Sequence, residues 1–416
     1  MRGVERDFIE LTNRAINQIP GDDGFFDCAD WKGIFELAYK NGLAAVVLDV
    51  ARKSGKIPDD LLKQWEASRL QIYLRQGRNL QALMDLLSEI NEAKIDYAVF
   101  KGPIVAACYP GPLYRISSDS DILVDPCDRE KVSAMIEKRG YVVMEHETKE
   151  KVYVYKNERT GHKIELHTSV FEDYKGSKIE IIKGAGIDNP GHRINVNLKE
   201  GEIRSFGVNE HLVYLVFHMV KHFVLEGANV RFLTDITLFI NKNIESIDSG
   251  FFWKWMDQCN YTTFCENFFS ICISRFGMND VIMRGHRAEA DESVLDKLLL
   301  DFIYIGDEKQ QRAESWQLTA TMEPYLVGDR TTVKKDHGAR LIGYLFPKAC
   351  DLNERYDYAK KVHALLPLAW VHRFCHKVFW QIFKKKEGSY SGMQKVEIVE
   401  SRLGLLGSVG LLDEEK

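Results

Sequence analysis

The sequence predicts an α+β protein in which a small unit of strands interrupts two helical regions. Three observations predict it: apolar residues recur every three or four positions up to about residue 93, short apolar runs and alternating stretches replace that period between about 94 and 200, and the helical period returns from Asn209. The 416 residues allow two or three domains at roughly 100–200 residues each, and a core of that size needs no disulfide or metal staple. We take 1–93 as an N-terminal helical region, 94–200 as the α/β core, 201–383 as a C-terminal helical domain and 384–416 as a loose tail.

Each element has a local reason. From Val4 to about Ala93 the pattern is that of a helical bundle, with Leu70, Tyr73, Leu74, Leu80, Leu83, Met84, Leu87 and Ile90 forming one apolar stripe. Tyr97–Phe100 is a short strand-like run, Pro103–Tyr109 a short helix and Ile122–Val124 a second run. Asp125-Pro126 then opens a helix, Asp as N-cap and Pro in the first turn, and Gly140 closes it. Residues 141–144 and 151–156 read as strands, and Thr160-Gly161 turns into the alternating stretch Lys163–Val170. Beyond Asn209, the residues Leu212, Leu215, Val216, Met219 and Val220, then Phe232, Ile236, Phe239 and Ile240, keep helical spacing. Trp253, Trp255 and the aromatic stretch from Leu366 to Phe383 are expected in the core.

Composition narrows the function. With 56 Lys+Arg against 61 Asp+Glu the formal charge is −5, so there is no overall footprint for duplex nucleic acid or an anionic membrane, although a local patch remains open. The eight cysteines are scattered without a CxxC and read as reduced thiols. The first residues carry no apolar leader, and no run of eighteen uncharged apolar residues occurs, so a cytoplasmic protein without a membrane segment is expected. A P-loop, a GxGxxG turn after a strand and a nucleophile-elbow motif are all absent.

Chemistry concentrates in Phe100-Lys101-Gly102 and in Arg115-Ile-Ser-Ser-Asp119-Ser120-Asp121-Ile-Leu-Val124. On a strand Asp119 and Asp121 share a face, while Ser120, Ile122 and Val124 take the other. Two carboxylates on one face repel, and burial raises at least one pKa, unless a divalent cation neutralises them. In Lys163–His167, Glu165 and His167 oppose Ile164 and Leu166, so a strand laid beside the first would add Glu165 to the cluster. Three hard oxygen ligands select Mg²⁺ or Mn²⁺ over zinc. Such a site can lower the pKa of an attacking hydroxyl and bridge triphosphate oxygens, which is nucleotidyl-transfer chemistry.

At these residues the sequence resembles the uncharacterised nucleotidyltransferase family of the DNA polymerase beta-type superfamily. The resemblance runs from Lys101-Gly102 through Arg115, Asp119-x-Asp121-Ile-Leu-Val and Gly140-Tyr141 to Ile164-Glu165-Leu166-His167, then to His218-x-x-x-His222 and Arg231-x-x-x-Asp235. The Ala38–Val50 helix and Leu365-Leu-Pro-Leu-Ala-Trp370 are similar in style. It implies a small mixed-sheet nucleotidyltransferase core, an active site between sheet and C-terminal helices, and transfer of a nucleoside monophosphate from a nucleoside triphosphate to a hydroxyl acceptor with release of pyrophosphate. By the same resemblance Asp119 and Asp121 bind the ions, Glu165 positions or deprotonates the acceptor, Lys101 and Gly102 hold triphosphate and Arg115 offsets its charge, with His167, His218, Lys221 and His222 around the nucleotide. Pro103, which supplies no N–H, and the polar Ser120 depart from the superfamily pattern.

Plainer readings stand beside these. Ser-Ser-Asp-Ser-Asp can be a turn, Glu165 a solvated hairpin residue and His167 a hydrogen-bonding neighbour of the site. The pair His218 and His222 has zinc spacing without a Glu-x-x-His or Cys partner. Arg231 and Asp235 can be an i,i+4 ion pair, and Lys384–Lys386 a solvated tail. Replacing Asp119 or Asp121 by Ala is expected to abolish turnover at little cost in stability, because like-charge repulsion is removed. The rival classes are a non-catalytic nucleotide-binding or partner-regulating module and, more remotely, phosphoryl transfer to a small molecule. The acceptor, whether small molecule, protein or RNA, has no signature in the sequence.

Overall fold

The computed structural model describes residues 3–20, 24–145, 151–171, 177–225, 227–312, 358–359, 365–372 and 404–411. Four helices come first: α1 (Gly3–Ile16), α2 (Trp31–Lys40), α3 (Ala44–Lys53) and the long α4 (Asp59–Glu92). The mixed region follows as β1 (Tyr97–Phe100), α5 (Gly102–Ala106), β2 (Asp119–Val124), α6 (Arg129–Lys138), β3 (Val142–Val143), β4 (Val152–Lys156) and β5 (Lys163–His167). Then come α7 (Ser177–Lys183), the hairpin β6 (Ile194–Leu198) and β7 (Gly201–Ser205), and the helices α8 (Val208–Leu225), α9 (Val230–Lys242), α10 (Ser249–Gln258), α11 (Thr262–Phe276) and α12 (Glu292–Arg312). No helix among the described residues is long and apolar enough to cross a membrane.

The five-stranded sheet has the order β1-β2-β5-β4-β3. β1 and β2 are antiparallel, β2 and β5 parallel, and β5, β4 and β3 antiparallel in turn, so the sheet is mixed as expected. Strand alternation sorts the side chains. Ser120, Ile122 and Val124 of β2, with Ile164 and Leu166 of β5, take the rear face. The four apolar ones among them pack against Leu83, Leu86, Leu87 and Ile90 of α4 and Val132 and Ile136 of α6. The second half of α4 thus belongs to the sheet's rear layer. The front of β1 and β2, with Ala98, Phe100 and Leu123, joins a larger apolar cluster that runs from α1 to α12. Buried Asn41 fastens that cluster: its Nδ2 donates to the carbonyls of Leu37 and Ile303 at 2.9 and 3.1 Å, and its Oδ1 accepts from the Val230 N–H at 3.0 Å.

Several expectations change. Leu70, Tyr73 and Leu74 of the predicted stripe are exposed, while Trp65 and Ile72 are the apolar residues that this half of α4 buries. α6 begins at Arg129 rather than at Pro126: the Asp125 carboxylate accepts from the Cys127 N–H at 2.9 Å, closing a turn before the helix starts. Gly140, at φ +80°, ends that helix region as predicted. The β6–β7 hairpin was not among the expected elements, although Ile194, Val196 and Leu198 alternate before it turns at Gly201, where φ is +145°. Trp253 and Trp255 are buried; in 366–372 Ala369 is buried while Leu368 and Val371 are exposed. The rest of the aromatic stretch, and the loose tail but for 404–411, lie outside the described residues. Among the described residues the six cysteines are free thiols.

Candidate active site

The parallel pairing of β2 with β5 sets Asp121 opposite Glu165 and Leu123 opposite His167. All four side chains leave the front face, so the sequence expectation that the Glu165 strand lies beside the Asp strand is met by direct pairing. Ligand atoms of Asp121, Glu165 and His167 lie within 4.8 Å of one another. His167 Nε2 is 3.1 Å from Asp121 Oδ1 and 3.6 Å from Glu165 Oε2. Its Nδ1 is buried with no hydrogen-bond partner among the described residues. Asp119, two residues earlier on the same strand, stands outside this closest group but feels the charges of Asp121 and Glu165. The three-oxygen cluster read from the sequence is therefore tightest as two carboxylates and an imidazole, with Asp119 beside it.

Electrostatics separate the two aspartates. Burial works against the charge of Asp121, but the Lys101 ammonium, 2.7 Å from Oδ1, and the His167 hydrogen bond overcome it and hold the carboxyl down at about 2. Asp119 lacks such a partner, so burial and then the Asp121 charge push its pKa up, with Lys101 and Arg231 pulling the other way. His167 is raised despite burial, because Asp121 and Glu165 accept from it. Two carboxylates and an imidazole converging on one point, with unfavourable charge left on Asp119, form a donor set that fits a divalent cation.

Lys101 sits on a sharp strand-to-helix elbow between β1 and α5, at φ 55° and ψ −115°, a region non-glycine residues avoid. Its N–H donates to His211 Nε2 at 3.2 Å, and its carbonyl accepts from the Val105 N–H at 2.9 Å. His211 is neutral: burial, then the Lys101 charge, push it down to about 3, which suits an acceptor. The elbow aims the ammonium at Asp121. Because the backbone there is strained, Lys101→Gly should be more stable than Lys101→Ala by about 1 kcal/mol in urea unfolding, since both lose the ion pair and only glycine tolerates the dihedrals freely. Equal midpoints would show that the elbow carries no strain. At Gly102 a Cβ would come within 2.8 Å of Ser117 Oγ and 3.4 Å of the Asp119 carbonyl. A side chain there would press α5 away from the start of β2, so glycine fits this packing.

Arg115 departs from its expected role. Its Nε and Nη2 donate to the two oxygens of Asp235 at 2.8 and 2.7 Å, and Tyr109 Oη donates to the same carboxylate at 2.7 Å. Both side chains of the pair are at least nine-tenths buried, so the guanidinium is committed to α9 rather than to a triphosphate. Asp235 is consequently not the i,i+4 partner of Arg231, whose Nη1 donates to the Ile116 carbonyl at 2.8 Å. Both arginines instead pin the loop before β2 to α9.

Helix α8 carries the predicted pair of histidines and places Tyr214 beside Lys101. His218 and His222, one turn apart on α8, have ring centroids 4.4 Å apart; Tyr214 stacks on His218 at 5.7 Å, and Phe232 lies 5.5 Å from His222. His218 is driven well below its ordinary pKa by burial, then by the Lys101, His222, Lys221 and His167 charges, so these groups face one space. His218 thus lies within charge range of Lys101 and His167, with Lys221 and His222 beside it on the same helix. No acid joins the two histidines in the clusters of metal-ligating groups among the described residues, which leaves the zinc alternative without a third ligand.

Sequence reasoning missed the rear-face support. Ser120 Oγ is 3.0 Å from His162 Nε2, and Tyr141 Oη is 2.7 Å from His162 Nδ1; burial pushes this histidine down to about 4. The polar residue between the aspartates thus anchors β2 from behind. Gln76 of α4 brackets Ser117, donating to its carbonyl at 3.0 Å and accepting from its N–H at 3.2 Å.

The fold and its front-face cluster define the class, an α+β protein built on a small mixed sheet. The chain belongs to the family described as uncharacterised nucleotidyltransferase, matched over residues 27–277. All the motifs from Lys101 to Asp235 fall inside that match, while Leu365–Trp370 lies beyond it. A solved chain titled "tRNA-processing enzyme (apo form I)" is similar at 13% identity over 84% of this chain and 98% of that one, with a TM-score of 0.22. No curated protein matches the chain.

Proposed function

We propose that the protein transfers a nucleoside monophosphate from a nucleoside triphosphate to a hydroxyl acceptor, releasing pyrophosphate, with Mg²⁺ or Mn²⁺ held at Asp121, Glu165 and Asp119. The observation that carries this reading is the register pair Asp121 and Glu165, which gathers carboxylates on two adjacent central strands at one end of the sheet. His167 is a further donor to the same point. When bound, the divalent ion supplies charge neutralisation at the transferred phosphoryl group and acidifies the attacking hydroxyl.

The chain's own residues do the rest. Glu165, the least buried of the three clustered groups, positions the acceptor hydroxyl and takes its proton. Lys101, carried on its elbow beside the Tyr214 ring, supplies positive charge to triphosphate oxygens. His218, Lys221 and His222 form the nucleotide's wall, neutral His218 offering hydrogen bonding and ring surface rather than charge. Arg115 acts as a positioning residue, through Asp235, on the loop that delivers Asp119.

The test is incubation of the purified protein with each nucleoside triphosphate and Mg²⁺ or Mn²⁺, with pyrophosphate and base-labelled products followed on small-molecule, protein and RNA acceptors. Pyrophosphate release that vanishes in Asp121→Asn is expected. Tight nucleotide binding without release would make the protein a regulatory module, and nucleoside diphosphate as product would make it a phosphoryl transferase.

A further inference from the structure

We infer that Lys101 is a resident counter-cation of the acidic cluster, which excludes a divalent ion from Asp121 until the ammonium swings away, so that this one side chain sets the metal affinity of the site. The inference rests on the proposed metal site and concerns what governs its filling.

Three observations converge. First, the ammonium occupies the oxygen a metal would need: Lys101 Nζ is 2.7 Å from Asp121 Oδ1, the same oxygen that lies 3.1 Å from His167 Nε2. A monovalent and a divalent cation held against one carboxylate oxygen repel strongly in a poorly solvated site, so one displaces the other. Second, the placement is imposed. The elbow at φ 55° and ψ −115° is a conformation lysine does not choose, and His211 and Val105 hold it from the two sides of the residue. Third, the ammonium has somewhere to go. The side chain keeps 19% of its surface exposed, and Nζ already lies 5.7 Å from the Tyr214 ring centroid, where a cation on an aromatic face is stabilised. Departure from Asp121 toward Tyr214 moves the charge to the helical wall that His218 and His222 line. Filling the metal position and presenting a cation to an anionic ligand are then the same motion.

The experiment measures Mn²⁺ binding to the full chain by the electron paramagnetic resonance signal of free Mn²⁺, for the wild type, Lys101→Met, Lys101→Arg and Asp121→Asn, with circular dichroism to verify folding. Lys101→Met should bind Mn²⁺ about tenfold or more tightly than wild type, Lys101→Arg no more tightly, and Asp121→Asn much more weakly. In parallel, the lysine side-chain ¹⁵N resonance of the buried ammonium in the unmutated protein should shift as Mg²⁺ is added, a readout that does not depend on any variant folding. Equal or weaker Mn²⁺ binding by folded Lys101→Met, or an ammonium resonance indifferent to Mg²⁺ that demonstrably binds, would overturn the inference while leaving the metal site in place. If wild type and Lys101→Met both fail to bind Mn²⁺ at millimolar concentration, the metal site itself is refuted and the inference with it.

Discussion

Asp121→Asn is expected to lose pyrophosphate release by about a thousandfold or more, since it removes a carboxylate worth several kcal/mol of charge stabilisation at a metal site. It should also destabilise the fold by about 2 kcal/mol, because Lys101 and His167 lose their shared anion while the lysine retains partial access to water. Here the structure revises the expectation from sequence that either aspartate could be removed at little cost. Asp119→Asn should lose activity too, yet unfold at the same or slightly higher urea concentration, for its raised pKa means that its charge is disfavoured in the folded state. Acid titration in the presence of a chelator separates the two. A carboxyl held at about 2 when folded and about 4 when unfolded contributes stability that is present above pH 4 and lost as pH falls toward 2. That acid-side loss should be missing from Asp121→Asn. The opposite ranking, with Asp119→Asn the less stable variant, would reverse the roles given to the two residues.

The second large effect is structural. Arg115→Met should cost about 3–5 kcal/mol in urea unfolding, because Asp235 is left charged and buried with Tyr109 as its remaining hydrogen-bond partner among the described residues. Asp235→Leu should cost a similar amount by stranding the guanidinium. The double variant Arg115→Met with Asp235→Leu should recover most of the loss, since well-packed apolar residues replace a buried pair at little net cost. Nucleotide KM reports on the alternative: if Arg115 held triphosphate directly, Arg115→Met would keep its stability and bind nucleotide poorly.

Much of the site was legible because its residues lie close in sequence on strands with period two. The alternation of Asp119, Ser120, Asp121 and Ile122, and that of Ile164, Glu165, Leu166 and His167, assigns faces before any partner is known, and the pairing of β2 with β5 keeps those assignments. Likewise His218 and His222 had to share one face of α8. The destinations of the cations were not legible. Lys101 reaches Asp121 across 20 residues, Arg115 reaches Asp235 across 120, and His211 reaches the Lys101 N–H across 110. Ser120 looked like an irregularity between two acids until His162 and Tyr141 closed on it from the rear of the sheet. A hint existed for Lys101, since a strand running straight into Gly-Pro must turn abruptly, but the sense of the turn depends on Ser117 and His211.

By itself the sequence determined the helical regions and the strands of the five-stranded sheet, though not the β6–β7 hairpin or the start of α6, and it determined which side chains share a face and that acids gather on two strands of a small sheet. These follow from backbone periodicity and the burial of apolar stripes, which are local. Only the tertiary structure decided which cation neutralises which acid. That choice is made by distances of a few ångströms between segments far apart in the chain, where burial magnifies each charge, pairs Lys101 with Asp121 and Arg115 with Asp235, and leaves Asp119 without a close cation among the described residues.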